Sequence, residues 1–376
     1  MSTPLQDAIQ AQNAGRARPE EVAEYRGSAT AARFAGPQQE FSALLNGGGV
    51  YDLGFRASIS ITGGDRVRWL NGMVTNNIRD LAVGRGVYAF LLNPQGRILG
   101  DMHVYNRGES LLVETDRSQV AKIMATFDHF IIMDDVELAN VSETQTALGI
   151  AGPRSRDLLN AVGIAVPEMQ PLQVITAQCT CDCKCLECTV IRGEDASRES
   201  YEIWLAPKDV YKTWQALIAA GATPVGSEAL EMQRIAAGLP LYGADIRERD
   251  LPQETEQERA LNFNKGCYVG QEIVERIRSR GNVHRKFAGF LVEGTANIPA
   301  GAKIVSAEKE VGEVTSIAVV NTGSGEQTVL LGYIRREVGM PGRQVTIGAA
   351  NATVIQLPLE MGTLRQNDDA LAQLRS

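Results

Sequence analysis

Residues 86–115, GVYAFLLNPQGRILGDMHVYNRGESLLVET, contain three apolar runs separated by two turn sequences. The turn sequences are NPQG at 93–96 and NRG at 106–108. Asparagine, proline and glycine favour turns, and short apolar runs bounded by such residues are typical of β-strands. We therefore predict a meander of three strands over this stretch.

The segments on either side of this meander mix helical and strand patterns. Residues 58–62 alternate apolar and polar side chains before a Gly-Gly turn, which predicts a strand, and Asp65 can cap a helix that follows. Apolar residues recur at helical spacing in 120–131 and again in 210–218. The sequence SYEIWLAP at 200–207 is typical of a strand.

The helical pattern disappears after about residue 283. Six short apolar segments follow, separated by Gly, Pro and Asn, and this spacing predicts a small β-barrel or sandwich over residues 283–358. Residues 1–37 are rich in Ala, Gln, Glu and Arg, so we predict a polar N-terminal arm outside the core, and residues 359–376 form a polar tail. Together these patterns predict an α+β fold with a C-terminal β module.

The composition is typical of a soluble globular protein. The chain has 376 residues, of which 44% are hydrophobic and 22% charged, and its net charge is −8. The negative charge disfavours direct binding to nucleic acid. The N-terminal residues show no secretory pattern, and no apolar run of about 18 residues occurs, so we expect a cytoplasmic protein without a membrane span. Its thiols should then be reduced.

One cysteine, Cys267, stands apart from the others in the sequence NKGCYVGQE at 264–272. Apolar residues at helical spacing follow it, so a helix is predicted to start near Gly270, and Lys265 lies two residues before the thiol. A helix N-terminus and a nearby cation both favour a thiolate, which can attack an electrophile, bind a soft metal or form a transient disulfide. The alternative is a small side chain packed in a tight turn.

The other five cysteines are crowded into CTCDCKCLEC at 179–188. In a strand the first four would lie on one face, and soft thiolate ligands suit zinc or an iron–sulfur cluster. Ligands two residues apart along a straight strand do not chelate together easily, so only Cys185 and Cys188 have the usual spacing for a metal. The alternative is a set of apolar-like residues on one buried strand face.

The sequence KGCYVGQE at 265–272, preceded by GLPLYGADI at 238–246 and PQET at 252–255, resembles the YgfZ family of folate-binding proteins. That family includes a mitochondrial late-acting iron–sulfur assembly factor and is related to the T-protein, the aminomethyltransferase of the glycine cleavage system. The resemblance implies an aminomethyltransferase-like folate-binding domain of two interlocked α+β parts over residues 38–282. It also implies a C-terminal β-barrel over 283–358.

The resemblance assigns four folate-binding residues. Tyr88 and Asp101 have the spacing at which T-proteins carry a tyrosine that lines the folate site and an aspartate that polarises a folate nitrogen. Glu202 matches the glutamate that holds the pterin ring, and Arg234 matches an arginine on the following helix. A carboxylate can accept two hydrogen bonds from the amide and amino edge of a pterin. The anionic folate tail suits Arg234 or the basic residues at 276–286.

The sequence also departs from the T-protein pattern. In RGEDASRESYE at 192–202, Asp195 stands where T-proteins carry a tyrosine that stacks on folate, and Ser200 replaces a glycine. T-proteins also lack the cysteine motif at 265–272. The chain therefore resembles YgfZ-type proteins more than glycine-cleavage enzymes.

The function implied by the resemblance is binding of tetrahydrofolate, free or polyglutamylated, in support of assembly or repair of iron–sulfur clusters in client enzymes such as tRNA-modifying radical enzymes. Cys267, tuned by Lys265, would be the reactive thiol or a transient cluster ligand, and cluster carriers would be further partners of a monomeric protein. The first alternative is a folate-dependent aminomethyltransferase or demethylase in which Asp101 acts electrostatically. The second is a metal-binding module at 179–188.

Overall fold

Helices and strands are mixed along most of the chain, as expected for an α+β fold. The structure, a computed structural model, describes residues 1–12, 17–179, 186–281, 283–321 and 325–359. The α-helices in these ranges are α1 (Pro4–Ala11), α2 (Pro37–Asn46), α3 (Arg66–Met73), α4 (Arg117–His129), α5 (Ser155–Ala161), α6 (Pro207–Ala219), α7 (Ser227–Ala236) and α8 (Gln271–Arg280). The 3-10 helices in the same ranges cover Pro252–Glu254 and Glu258–Ala260.

The strands in the same ranges form a two-stranded hairpin, a five-stranded sheet, a six-stranded sheet and a closed barrel. They are β1 (Glu21–Tyr25), β2 (Ser28–Arg33), β3 (Gly49–Asp52), β4 (Arg56–Thr62), β5 (Arg85–Leu92), β6 (Ile98–Asn106), β7 (Leu111–Asp116), β8 (Glu137–Asn140), β9 (Thr146–Ala151), β10 (Val174–Cys179), β11 (Leu186–Arg192), β12 (Ser200–Leu205), β13 (Thr223–Val225), β14 (Arg285–Glu293), β15 (Lys303–Ser306), β16 (Lys309–Asn321), β17 (Glu326–Arg335), β18 (Gln344–Ile347) and β19 (Ala350–Ile355).

The predicted meander forms strands β5, β6 and β7 of the five-stranded sheet, which confirms the three strands. The sheet is antiparallel, with the order β5-β6-β7-β4-β8. In its turns, Gly96 (φ 72°) and Gly108 (φ 85°) adopt backbone angles that favour glycine. Helices α3 and α4 contribute Trp69 and Phe127 to the apolar core of this sheet. The helix predicted after Asp65 and the one predicted over 120–131 are thus both present.

The six-stranded sheet is interlocked with the five-stranded one through the path of the chain. Its order is β10-β11-β12-β9-β3-β13. The chain leaves this sheet after β3, forms β4–β8 of the other sheet, and returns as β9 between β12 and β3. Tyr105 of β6 and Trp204 of β12 meet edge to face, with ring centroids 5.5 Å apart, in an apolar cluster that both sheets share.

Helix α1 of the N-terminal segment packs into the core, contrary to the predicted polar arm. Helix α1 begins after the N-cap Thr3, and its Leu5 and Ile9 are 1% and 7% exposed in the cluster around Trp214. Strands β1 and β2 then form an antiparallel hairpin. The expectation that this segment lies outside the core was wrong because its few apolar residues are concentrated on one face of a short helix.

The six segments predicted as strands after residue 283 form a closed barrel of order β14-β17-β16-β15-β18-β19, which confirms the C-terminal barrel. Apolar side chains such as Phe290, Val314 and Leu330 fill its interior. A closed barrel pairs the edges of all its strands and so needs no further sheet to cover them.

The chain divides into two compact units. The first contains Met1–Leu230 and Ile246–Val283, and the second contains Glu231–Asp245 and the chain from His284 onward. The domain boundaries given above from the sequence stay predictions. Within the ranges that the structure describes, no helix has the length and apolarity needed to cross a membrane.

Candidate functional site

Tyr88 and Asp101, predicted from their spacing, are in direct contact. Tyr88 pairs with His103 across the β5–β6 ladder, which makes Asp101 its diagonal neighbour on the same face of the sheet. The Tyr88 hydroxyl donates to Oδ2 of Asp101 at 2.6 Å, and Nε2 of Gln119 in α4 donates to Oδ1 at 2.8 Å. Both carboxylate oxygens are therefore held in a fixed orientation by protein donors.

The Tyr88 phenol can donate to Asp101 because it stays protonated. Burial and the negative charge of Asp101 raise the pKa of Tyr88 well above its ordinary value. The guanidinium of Arg259 lies over the Tyr88 ring, 4.3 Å from its centroid, and pairs with Glu194. Nε2 of His103 lies 3.4 Å from the carboxylate of Glu194. The ion pair of Arg259 and Glu194 thus lies beside the Tyr88–Asp101 pair.

Glu202, the predicted pterin-binding residue, lies where the two interlocked sheets meet. Its Oε1 accepts from Nη1 of Arg56 at 2.6 Å, and its Oε2 accepts from Nε1 of Trp204 at 2.9 Å. Arg56 is in β4 of the five-stranded sheet, whereas Glu202 is in β12 of the six-stranded sheet. The ion pair therefore joins the two sheets and orients the Glu202 carboxylate.

A second carboxylate, Glu114 of β7, shares the same guanidinium. Its Oε1 accepts from Nη1 of Arg56 at 2.7 Å, and its side chain is 2% exposed. Burial raises the pKa of Glu114 to about 7, although the charge of Arg56 opposes the shift. Sequence reasoning missed Arg56 and Glu114. The signal was present in LLVETD at 111–116, where a glutamate interrupts an apolar strand.

Cys267 is exposed in a loop that is anchored by its neighbours. Helix α8 begins at Gln271 with Gly270 (φ 82°) as N-cap, so the predicted helix start is confirmed. Nζ of Lys265 donates to three backbone carbonyls, those of Asn71, Val74 and Asn76, at 2.5–2.7 Å.

These three bonds define the role that the structure supports for Lys265. Burial lowers the pKa of Lys265 to about 7, whereas three carbonyl acceptors favour the ammonium form, the only form with three donors. The side chain therefore ties the Cys267 loop to the end of α3. Its predicted effect on the thiol, and the reactivity of Cys267, stay predictions.

Arg234 belongs to the second unit, whereas the residues above belong to the first. Its side chain is 7% exposed, and Nη1 bonds to Oδ2 of the fully buried Asp245 at 2.6 Å. Nη2 donates to Oγ of Ser316 at 2.9 Å, and Glu231 accepts from the same guanidinium. These bonds tie α7 to strand β16 of the barrel, and the predicted contact of Arg234 with folate stays a prediction.

The cysteine cluster is largely outside the described residues, because Cys181, Cys183 and Cys185 fall in a segment that the structure does not describe. Cys188 of β11 is 3% exposed and belongs to an apolar core cluster. Burial raises the pKa of its thiol to about 11. Such a thiol stays protonated at neutral pH, whereas metals bind the thiolate. Across the described ranges, no group of three or more His, Cys, Asp or Glu residues is placed to hold a metal ion.

These interlocked sheets and the C-terminal barrel define an aminomethyltransferase-type fold. The crystal structure of glycine cleavage system aminomethyltransferase T from Bartonella henselae superimposes with a TM-score of 0.83, covering 96% of this chain and 98% of that chain at 19% identity. The chain belongs to the GCVT N-terminal domain family, whose family model matches residues 6–265.

Sequence relatives point to the same family. The chain is 27% identical over 348 residues to an aminomethyltransferase of Halothermothrix orenii, covering 89% of this chain and 94% of the relative. It is 26% identical over 316 residues to a chloroplastic protein of Arabidopsis thaliana named as a candidate transferase, covering 84% of this chain and 72% of the relative. The aminomethyltransferase-like fold expected from the sequence is therefore confirmed.

Proposed function

We propose that the protein binds tetrahydrofolate at the site formed by Tyr88, Asp101 and Glu202. The observation that carries this proposal is the preset orientation of two carboxylates. Asp101 is held by Tyr88 and Gln119, and Glu202 is held by Arg56 and Trp204. Preset acceptors bind a ligand well because little conformational freedom is lost on binding.

The chemistry of the site fits a reduced pterin. The pyrimidine edge of a pterin presents N–H donors, and Glu202 retains further lone pairs that can accept them. The buried Oε2 of Glu114 has no hydrogen-bond partner among the described residues and lies beside this carboxylate. The rings of Tyr88 and His103 lie side by side, with centroids 5.2 Å apart, and a flat heterocycle could pack beside them.

Bound tetrahydrofolate would supply a carrier for one-carbon groups. The contribution of the chain is to bind, orient and stabilise charge. Asp101, with Tyr88 and Gln119 as fixed donors, would provide a negative charge that stabilises positive charge at a folate nitrogen. Glu202 and Arg56 would fix the position of the ring.

We further propose that the folate site serves a YgfZ-type role in the assembly or repair of iron–sulfur clusters, with tRNA-modifying radical enzymes as clients and cluster carriers as partners. The supporting observation is the exposed thiol of Cys267, which Lys265 and Gly270 hold in an anchored loop. The thiol at this position would release its proton to solvent and bind cluster iron transiently as the thiolate.

A second candidate is folate-dependent transfer of an aminomethyl or methyl group, with Asp101 acting electrostatically. It is favoured by the likeness of this chain to relatives named aminomethyltransferase. The two candidates share the folate site and differ in their use of Cys267, so a test can separate them.

Folate binding is tested by titration calorimetry with tetrahydrofolate under anaerobic conditions. Wild type should bind, and Glu202→Gln should bind about tenfold to a hundredfold more weakly, because a charged acceptor contributes about 1.5–3 kcal/mol. Glu109→Gln, a change of the same kind at an exposed loop residue, is the matched control. Absence of binding by wild type, or equal binding by wild type and Glu202→Gln, would contradict the proposed site.

Comparison of Cys267→Ser with Asp101→Asn in two assays distinguishes support of iron–sulfur clusters from transfer of a one-carbon group. If the protein supports clusters, Cys267→Ser should fail to sustain a cluster-dependent client enzyme, whereas Cys188→Ala, which removes a buried thiol, should sustain it. If the protein is a transferase, formation of methylenetetrahydrofolate from an aminomethyl donor should be lost in Asp101→Asn and kept in Cys267→Ser. Full client activity with Cys267→Ser would remove the cluster role.

A further inference from the structure

Two carboxylates in the first unit share one cationic atom. Nη1 of Arg56 lies 2.7 Å from Oε1 of Glu114 and 2.6 Å from Oε1 of Glu202. The three residues come from β4, β7 and β12, so the cluster forms only when the two sheets are assembled. A single guanidinium balances one of these carboxylates and leaves the second without a compensating charge.

The groups that face Glu114 do not supply that charge. From β4 it faces Arg56, and from β12 it faces the negative Glu202. From β6 it faces Tyr105, whose pKa is raised by burial, and His103, whose Nδ1 is 3.9 Å away. Burial lowers the pKa of His103, so this imidazole is neutral at physiological pH. Burial raises the pKa of Glu114 to about 7, so near neutral pH a proton on Glu114 relieves the imbalance in part of the molecules.

The second oxygen of Glu114, Oε2, lies 3.9 Å from Nδ1 of His103, which is too far for a hydrogen bond. Its Oε2 is buried and has no hydrogen-bond partner in the part of the chain that the structure describes. A buried polar atom without a partner destabilises the protein, and this cost is removed when a partner arrives. The other carboxylates of the site, Asp101 and Glu202, already have donors on both oxygens.

We propose that Glu114 is a second ligand-binding carboxylate, whose Oε2 accepts an N–H of the same heterocyclic ring that Glu202 binds, in exchange for the proton that the protonated form of Glu114 carries. This inference rests on the proposed binding of tetrahydrofolate. The ligand class is a ring with adjacent N–H donors, as in the aminopyrimidinone edge of a reduced pterin. The displaced proton passes to solvent.

Proton exchange makes the affinity depend on pH in a defined direction. Burial raises the pKa of Glu114 to about 7, so below that pH the ligand must displace a proton and above it the carboxylate is already free. The dissociation constant should therefore fall as the pH rises from 6 to 8 and level off above 8, with a change approaching tenfold per pH unit at the acidic end. If Glu114 instead kept its proton and donated it to a ligand carbonyl, affinity would fall as the pH rises.

The experiment is calorimetry with the full-length protein in pairs of buffers that differ in ionisation enthalpy, between pH 6.0 and 8.5. The probes are tetrahydrofolate and a tetrahydropterin without the glutamate tail. Wild type should release close to one proton per ligand at pH 6, about half at pH 7 and almost none at pH 8.5. Glu114→Gln should release none and should bind with an affinity that does not depend on pH, whereas Glu109→Gln should match wild type.

The outcomes separate this inference from the function on which it rests. Binding of tetrahydrofolate without proton release, or an affinity that falls with rising pH, overturns the role of Glu114 alone. Absence of binding at every pH overturns the proposed folate site and this inference with it. The number of protons that wild type releases per bound ligand tests the role of Glu114 even if Glu114→Gln does not fold.

Discussion

Replacing Lys265 by methionine tests whether this residue anchors the Cys267 loop. Methionine has an unbranched side chain of similar length to lysine. The change removes the ammonium that donates to three backbone carbonyls. Two of those carbonyls, at Asn71 and Val74, are at the end of α3, where helical carbonyls lack intrahelical donors. Lys265 is 9% exposed, so water replaces the ammonium poorly.

The expected loss of stability follows from these contacts. An unsatisfied buried acceptor costs about 1–3 kcal/mol, and three are affected. Part of this cost is offset because methionine is easier to bury than an ammonium group. We therefore expect Lys265→Met to lower the free energy of unfolding by about 2–4 kcal/mol.

Urea unfolding followed by tryptophan fluorescence measures this loss. The three tryptophans, Trp69, Trp204 and Trp214, all belong to the first unit, as does Lys265. Lys208→Met, at an exposed lysine on α6, is the control and should change the free energy by less than about 0.5 kcal/mol. The Cys267 thiol of Lys265→Met should also alkylate at a changed rate. A loss below about 1 kcal/mol with an unchanged alkylation rate would refute the anchoring role.

Three further predictions concern single positions. Gly270→Ala should destabilise the protein by roughly 1–3 kcal/mol in the same urea assay, because φ is 82° and a Cβ would lie 2.6 Å from the Asn93 carbonyl oxygen; Gly281→Ala, where φ is −156° and nothing lies within 4 Å, should be tolerated. Glu40→Gln should cost roughly 1–3 kcal/mol, since the buried carboxylate accepts from three backbone N–H groups at 2.7 Å and an amide nitrogen would oppose one of them. The pKa of Glu114 is raised from 4.5 to about 7, so its stabilising contribution is complete below about pH 4.5 and is lost as the pH rises through 7. Unfolding free energies of wild type and Glu114→Gln should therefore diverge by roughly 1–2 kcal/mol between pH 5.5 and 8, and parallel profiles would contradict the shift.

The candidate site was partly predictable because one of its pairs is local. Tyr88 and Asp101 lie on the two strands of one hairpin, so a spacing of thirteen residues across a short turn brings them together. The helix start at Gly270 was also readable, since a glycine followed by apolar residues at helical spacing is a local signal. The burial of Leu5 was not readable, because it depends on what packs against α1.

The sequence by itself determined the meander, the strands of the barrel and the position of Cys267 just before a helix start, because turn chemistry and hydrophobic periodicity are properties of short segments. Only the tertiary structure decided the rest of the site. Arg56, Glu114 and Glu202 are far apart in the chain, and they meet because the chain forms β4–β8 of one sheet between β3 and β9 of the other. No local pattern encodes which strands of two sheets face each other, so the shared guanidinium and the unpartnered oxygen of Glu114 appear only in the folded protein.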